Sequence, residues 1–244
     1  GGGIDLIFPH HENEIAQTEG VTGKEFVKYW MHNNFINFGA HKMSKSLGNV
    51  TTARAFLTKY NAEILKYLIL SAHYRSHSDF SEAPIQNSIA GLSRVYSALA
   101  GAEALVAQGV VASQSNARFQ KATADARQKI YEALDDDFNT PEVFAALFDL
   151  VRVFNSSYRK GQKANPELTA MAREFIEFVR EMGKMMALFQ EPAQGFLVKL
   201  DDMLLEQKGL VRSEIDVKVA ERAKVRENRD FAASDRLRDE LSAI

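Results

Sequence analysis

The sequence predicts a mainly α-helical protein in which a mixed N-terminal part precedes an antiparallel helical bundle. Four long segments after residue 81 repeat apolar residues at the spacing of one helical face, and short polar connections join them. The composition is that of a globular chain, because 45% of the 244 residues are hydrophobic and the formal net charge is only −2. The chain has no cysteine, so it contains no disulfide and no thiolate metal ligand of its own.

Composition also sets expectations about location. No apolar run reaches the length that spans a bilayer, and no signal peptide is visible. We therefore expect a cytoplasmic protein without a membrane partner. The chain begins with three glycines and runs at once into apolar residues, which we interpret as entry in the middle of a domain of a longer protein.

The N-terminal part, residues 1–81, combines strand and helix signals. A proline suited to the first helical turn predicts a helix over 10–20, which a glycine stops. Aromatic and β-branched residues over 26–38 predict a hairpin or strand pair that leads into the next loop. Helix signals return over 51–60 and 62–72.

The bundle is predicted between residues 82 and 195 from four apolar stripes of helical period. We interpret the fourth stripe, which is rich in Met and Phe, as core and not as a cofactor contact. Thr140-Pro141 and Asn165-Pro166 predict two helix starts, with a capping side chain before a first-turn proline. The stripes consist of Ile85, Ile89, Leu92, Tyr96 and Leu99; Phe119, Ala122, Ala126, Ile130 and Ala133; Phe144, Leu147, Val151, Phe154 and Tyr158; and Leu168, Met171, Phe175, Phe178, Met182, Met185 and Phe189.

The last stretch, residues 196–244, follows a linker predicted at 191–195. It carries two predicted helices, over 214–227 and 230–241. Between 216 and 240, seven Lys or Arg residues balance seven Asp or Glu residues. A net-neutral segment favours a solvated helical hairpin crossed by ion pairs over a nucleic-acid surface.

A lysine-rich stretch, AHKMSKSLGNV at 40–50, lies in a segment that has no Asp or Glu from Phe26 to Ala62. Lys42 and Lys45 stand three residues apart, with hydroxyl groups and a glycine close by. A local cationic field attracts polyanions, and mobile lysines with serine and backbone N–H donors suit phosphate groups. The alternative is a basic turn that only faces water.

A histidine and a carboxylate stand four residues apart in FPHHENEIAQ, at 8–17. His10 and Glu14 therefore share one face of the predicted helix. Imidazole and carboxylate groups suit Zn²⁺, which takes four ligands, so the two residues form half a site. The alternative is an exposed helix pair without a metal.

A glycine-rich start, GGGID at 1–5, provides a second candidate contact surface. Gly2 and Gly3 would let a nucleotide approach the backbone closely, and Asp5 would accept a hydrogen bond from a ribose hydroxyl. The motif is not specific, and its alternative is a plain turn.

Together these stretches resemble the bacterial-type cysteinyl-tRNA synthetases, within the class I aminoacyl-tRNA synthetases. HKMSKSLGN at 41–49 is similar to the KMSKS loop of the class, and GGGIDLIFPHHENEIAQ at 1–17 resembles a segment of the cysteine enzymes in particular. YRSHSDFS at 74–81 and LDDDFNTPEVFAALFDLV at 134–151 resemble their later regions.

The resemblance implies three parts: the end of a Rossmann-type class I catalytic domain over 1–81, an anticodon-binding helical bundle over 82–195 and a truncated module over 196–244. It implies that cysteine and ATP, with Mg²⁺, form cysteinyl-adenylate, and that the cysteinyl group then moves to tRNA(Cys). The first ATP motif and two zinc-binding cysteines are expected before Gly1, so the chain alone is expected to be inactive. We also expect a monomer.

The resemblance further implies roles for the candidate residues. Lys45, assisted by Lys42, is expected to clamp the ATP phosphates and to stabilise charge on the leaving pyrophosphate. His10 and Glu14 match two ligands of a zinc ion that binds the substrate thiolate and so rejects serine. Met43 is expected to anchor the loop in apolar surface. The expected ATP contacts are Lys42, Met43, Ser44, Lys45, Ser46, Gly2, Gly3 and Asp5.

Two rival functions stay open at this point. The related cysteine ligase of mycothiol synthesis would share the adenylate chemistry but join cysteine to an amino sugar; the long helical region after Ser81 favours tRNA instead. A non-catalytic tRNA-binding protein would need no KMSKS loop, yet all five residues of that motif are present.

Overall fold

The computed structural model describes residues 1–38, 41–42, 52–159 and 161–242. The chain divides into two compact units, Gly1–Gln194 and Gly195–Ile244. The division predicted at 81/82 and 195/196 stays a prediction, because these units follow compactness and not function. The predicted mainly α fold is confirmed.

The first unit opens with a short strand and a kinked entry into helix. Strand β1 covers Gly2–Gly3, and a helical turn over Ile4–Leu6 leads to a kinked segment, Ile7–His11, in which Phe8 is extended. Helix α1 then spans Glu12–Thr22. The predicted helix over 10–20 is therefore displaced by two residues at each end, and Gly20 lies inside it; the stop is Gly23, whose φ is 61°.

The predicted hairpin over 26–38 is wrong in its pairing. Strand β2 (His32–Asn33) pairs in parallel with β1, whereas β3 (Ile36–Phe38) belongs to a second sheet. There β3 lies between β4 (His41–Lys42), antiparallel, and β5 (Ser78–Asp79), parallel. The hairpin that leads into the lysine-rich loop is therefore β3–β4, and partners distant in sequence decided the pairing.

Two capped helices follow. Helix α2 spans Ala53–Leu57 and begins at Thr52, whose hydroxyl accepts from Ala55 N at 3.1 Å. Helix α3 spans Ala62–Leu70. Its cap is Asn61, whose side-chain oxygen accepts from Glu63 N at 2.7 Å. The helix predicted over 51–60 is thus shorter than the sequence indicates.

Four long helices build the bundle. They are α4 (Glu82–Val106), α5 (Ala117–Asp135), α6 (Thr140–Ser156) and α7 (Pro166–Met186), with α5 packed along α6 and α4 along α7. The Asn165 cap is confirmed, since its side chain accepts from Leu168 N at 2.8 Å. Helix α6 begins one residue before the sequence indicates, because Asn139 and not Thr140 occupies the cap position.

The four apolar stripes supply most of the core. Phe119, Phe154 and Phe175 are fully buried, and the rings of Phe154 and Phe175 stack at 4.3 Å. Met185 departs from the prediction, because 49% of it is exposed. Phe189 is buried as expected, but it lies beyond the end of α7 with a φ of 56°.

Helix α4 is long and apolar enough, by length and composition alone, to cross a membrane. This helix departs from the expectation that no apolar run reaches that length. Its apolar face is occupied within the bundle, where Leu92, Val95, Tyr96 and Leu99 are fully buried. Burial of this kind is what the core helix of a bundle requires.

The second unit contains the C-terminal helices. Helix α8 spans Ala193–Gln207 and begins two residues before this unit does. Helix α9 (Arg212–Glu227) packs along α10 (Phe231–Ser242). The two predicted helices match α9 and α10 closely. Helix α8 was missed, and it shortens the linker predicted at 191–195 because the helix begins inside it.

Candidate active-site region

The glycine-rich start is held by close backbone packing. Gly2 N donates to Met31 O at 3.1 Å, and the parallel pairing sets Gly2 opposite His32. A Cβ at Gly2 would lie 2.9 Å from Leu6 Cδ1 and 3.1 Å from His11 Cε1, so a side chain there would displace Leu6 and press on His11. The glycine at this position therefore has a packing reason, separate from the predicted nucleotide contact.

The neighbouring turn places an acidic side chain against the same backbone. Asp5 lies in the helical turn after β1 and is exposed. A Cβ at Gly3 would lie 2.5 Å from Asp5 Oδ1, so the carboxylate covers this glycine. Gly2, Gly3 and Asp5 are thus close together, and whether they contact ATP stays a prediction.

His10 and Glu14 face each other at the entry to α1. His10 Nε2 lies 3.5 Å from Glu14 Oε1, and the side chains are 61% and 44% exposed. Within the described ranges, no third His, Asp or Glu joins them in a group that could hold a metal ion. The donor types and their proximity fit Zn²⁺ as half of a tetrahedral site, with two donors still to be supplied.

A pair of histidines that the sequence did not predict lies beside His10, since the ring centres of His10 and His11 are 5.5 Å apart. His11 is 6% exposed, and its Nδ1 lies 2.8 Å from His32 Nε2. One ring must donate and the other accept, so the pair is joined by a single proton. The Trp30 ring stacks on His32 at 5.6 Å and lies 4.7 Å from His11.

The electrostatics of this pair follow from its packing. Burial, followed by the charge of His11, lowers the pKa of His32. His32 is therefore favoured as a neutral ring at neutral pH. No spacing rule links residues 21 apart, so the sequence alone gave no signal for this contact.

The lysine-rich loop is partly outside the described residues. The backbone of Lys42 lies in β4 opposite Asn37, so the loop begins at an edge of the β4–β3–β5 sheet. The candidates Met43, Ser44, Lys45 and Ser46 lie outside the described residues.

Two family models match the chain. Residues 1–90 match the tRNA synthetases class I (C) catalytic domain, and residues 129–190 match the DALR domain. A class I catalytic segment that carries a KMSKS motif and runs into a helical domain is the arrangement typical of class I aminoacyl-tRNA synthetases.

Known proteins extend the match over the whole chain. The cysteine–tRNA ligase of Bdellovibrio bacteriovorus is 58% identical over 244 residues, which cover 100% of this chain and 50% of the relative. That of Syntrophotalea carbinolica is 43% identical over 247 residues, with the same two shares, 100% and 50%. The chain is thus similar over its whole length to cysteine–tRNA ligases, and it spans about half the length of the curated relatives it matches.

A solved structure supports the fold. The crystal structure of the Agrobacterium radiobacter K84 agnB2 LeuRS–tRNA–LeuAMS ternary complex covers 79% of this chain and 28% of that chain, with a TM-score of 0.57 and 17% identity. At that identity the likeness concerns the fold alone.

Proposed function

We propose that this chain is part of a cysteine–tRNA ligase, which activates cysteine with ATP and transfers the cysteinyl group to tRNA(Cys). The observation that carries the proposal is the end-to-end likeness to cysteine–tRNA ligases, at 58% identity in one relative. The catalytic-domain match over 1–90 supports an enzyme over a non-catalytic tRNA-binding protein. The DALR match over 129–190 supports tRNA over the amino sugar of the mycothiol-pathway ligase.

In the activation step, an oxygen of the cysteine carboxylate attacks the α-phosphate of ATP, and pyrophosphate leaves. Negative charge then builds on the leaving group, where Lys45 and Lys42 stabilise it more than in the ground state. The backbone of Lys42 lies in β4, which pairs with β3, and this fixed start of the loop supports the role. Met43 anchors the loop, and Ser44 and Ser46 complete the phosphate contacts.

The start of the chain contributes to ATP binding through Gly2, Gly3 and Asp5. The exposed carboxylate of Asp5 accepts from a ribose hydroxyl. Mg²⁺ accompanies the nucleotide as its phosphate counter-ion.

His10 and Glu14 would hold zinc together with two cysteines supplied from outside this chain. When bound, the zinc would act as a Lewis acid that the substrate thiolate coordinates directly. The exposure of both side chains supports this role, since their donor atoms are open to further ligands. The complete protein acts in the cytoplasm as a monomer, as the resemblance to the cysteinyl-tRNA synthetases implies.

The test uses the full-length protein. We expect cysteine-dependent ATP–pyrophosphate exchange and cysteinylation of tRNA(Cys), with serine inactive in both assays. Bound zinc, measured by metal analysis, should fall in His10→Ala, whereas His77→Ala, which changes an exposed histidine elsewhere, should keep it. A folded full-length protein without cysteine-dependent exchange would refute the proposal.

A further inference from the structure

A cluster of side chains joins the corner between α5 and α6 to the segment that precedes β5. Asp137 Oδ1 accepts from the Tyr74 hydroxyl at 2.6 Å and from Arg75 Nη2 at 3.2 Å. Asp137 Oδ2 accepts from Arg75 Nε at 2.5 Å and lies 3.9 Å from His73 Nε2. We name these four residues the Asp137 clasp; Asp137 is more than 60 positions in sequence from the three consecutive residues that it contacts.

The backbone of the α5–α6 corner directs the Asp137 carboxylate towards Tyr74 and Arg75. Asp137 and Phe138 both adopt left-handed backbone conformations, with φ of 55° and 56°, although neither is glycine. Such a conformation persists only where surrounding contacts fix it. The corner is closed by Phe138 N donating to Leu134 O and Asn139 N donating to Ala133 O, and the clasp holds its exposed tip.

The partners of Asp137 in the clasp stabilise its carboxylate in the charged form. Hydrogen bonds from Arg75 and then from Tyr74 hold the pKa of Asp137 below its usual value. The Arg75 guanidinium also lies over the Tyr74 ring, 5.3 Å from its centre. The carboxylate is therefore charged at neutral pH, and its partners are preorganised.

From the clasp, hydrogen bonds run on to the sheet that carries the lysine-rich loop. Asn34 N donates to Tyr74 O and Asn34 Nδ2 donates to Arg75 O, each at 2.9 Å. Ser78 N donates to Phe35 O at 3.1 Å, where β5 joins β3. Since β3 also pairs with β4, the route ends at the strand that holds Lys42.

The clasp spans one side of a cleft between this sheet and the bundle. The cleft has a volume of about 590 Å³ and is lined by apolar side chains that include Ile36, Ile69, Phe138 and Met185. A second junction between the two parts is buried, where Glu63 of α3 accepts from the Tyr96 hydroxyl at 2.9 Å. One junction is thus buried and fixed, while the other is exposed and rests on the clasp.

We propose that Asp137 is a positioning residue that fixes the angle between the sheet of the catalytic segment and the bundle, and so couples tRNA held by the bundle to the adenylate site. This rests on the proposed function. Asp137 itself touches no reactant; it acts through Tyr74, Arg75 and Asn34. Loosening it should therefore harm the tRNA-dependent step and spare the step that needs no tRNA.

The kinetic test compares three variants of the full-length protein. Asp137→Asn weakens the ion pair, Tyr74→Phe removes one hydrogen bond, and Asp136→Asn removes the same charge from an exposed position on the same turn. We expect Asp137→Asn to lower kcat/KM for tRNA(Cys) at least about fivefold, in the range of ordinary coupling energies. Tyr74→Phe should cause a smaller loss, and tRNA-free pyrophosphate exchange should stay within about twofold in all three.

A structural test uses the 244-residue chain itself and does not depend on the proposed function. Asp137→Asn should speed amide hydrogen exchange at Asn34 and Ser78 at least about fivefold relative to Asp136→Asn, and leave the centre of α7 unchanged. Tyr74→Phe gives the same test if Asp137→Asn fails to fold.

The outcomes separate the two proposals. Wild-type protein without cysteine-dependent exchange refutes the proposed function, while the amide measurement still tests the clasp. An equal loss in both enzymatic steps, an equal effect of Asp136→Asn, or unchanged amide exchange would each overturn the role of Asp137.

Discussion

Tyr67 shows how burial in α3 sets a dependence of stability on pH. Its side chain is 7% exposed and its ring lies 4.5 Å from Phe144. This burial raises the pKa of Tyr67 from 10 to about 12. Between these values the unfolded chain loses the phenolic proton while the folded chain keeps it, so stability falls as the pH rises from about 10 to about 12.

We expect Tyr67→Phe to remove that part of the alkaline loss, up to roughly 3 kcal/mol, and to change stability little at pH 7. The measurement is denaturant unfolding across this pH range. Tyr131→Phe, at a residue that is 46% exposed, is the control and should keep the wild-type slope. Equal slopes for wild type and Tyr67→Phe would contradict the assignment.

Lys45 carries the proposed phosphate chemistry. In the full-length protein, Lys45→Ala should slow cysteine-dependent adenylate formation by about 10²–10³, because it removes a contact made mainly in the transition state. Cysteine affinity should hardly change, since the proposed contacts of Lys45 are with phosphates. Pre-steady-state adenylate formation at varied ATP and cysteine provides the measurement.

Lys28→Ala removes an exposed lysine from the same acid-free stretch and should leave the rate unchanged. If Lys45→Ala kept a normal rate constant and only raised the apparent ATP constant, Lys45 would be a uniform binding contact.

At this scale, the sequence predicted residues that belong to local motifs. The spacing of His10 and Glu14 was enough to place them on one face, because helical geometry alone decides it. The His11–His32 contact and the Asp137 clasp were out of reach, because each joins segments through the tertiary fold.

At the scale of the elements, helix α7 shows that only part of a predicted apolar stripe is buried in the core. Phe178 is 1% exposed, with the Arg127 guanidinium 5.3 Å from its ring centre, whereas Met185 of the same predicted stripe is 49% exposed. Phe178→Ala should lower the free energy of unfolding by roughly 3–5 kcal/mol through lost burial and a cavity. Met185→Ala should cost about 0.5 kcal/mol or less, as is usual for exposed positions.

Denaturant unfolding of the chain with both variants measures the difference. Similar losses for the two substitutions would show that the stripe is not divided between core and surface. The sequence could not make this division, because a periodic pattern gives the face of a helix but not where the neighbouring helix ends.

Helices α8 and α9 are each followed by a residue in the left-handed conformation, which is a glycine after α8 and an arginine after α9. Gly209, with φ 67°, follows α8, and Leu210 N donates back to Leu205 O at 2.8 Å. Arg229, with φ 61°, follows α9, and Asp230 N donates back to the fifth residue before it at 3.0 Å. A side chain in this conformation is strained, which glycine avoids.

Arg229→Gly should therefore stabilise the end of α9 by about 1 kcal/mol, and Gly209→Ala should destabilise the end of α8 by a similar amount. Amide hydrogen exchange over the two helices resolves these local changes. Slower exchange in Gly209→Ala, or faster exchange in Arg229→Gly, would contradict the argument.

At the scale of the whole molecule, the division between catalytic segment and bundle does not coincide with a break in the core. Glu63 of α3 is 5% exposed and accepts both from the Tyr96 hydroxyl and from Phe189 N, at 2.9 and 3.1 Å. Ile64 and Leu68 are also buried. The sequence predicted a bundle confined to the four long stripes, because α3 is short and its pattern does not reveal its partner.

The last prediction follows from this shared core. A fragment of residues 61–194 should unfold cooperatively, and a fragment of residues 82–194 should be less stable by at least roughly 2 kcal/mol, since it loses the buried face of α3. Within the longer fragment, Glu63→Leu removes Oε2, the one oxygen that accepts from both Tyr96 and Phe189, while keeping a similar size. It should cost roughly 1–3 kcal/mol by leaving a buried partner unpaired. Thermal and denaturant unfolding measure the stability of the three proteins. Equal stability of the two fragments would mean that α3 contacts the bundle without adding to its stability.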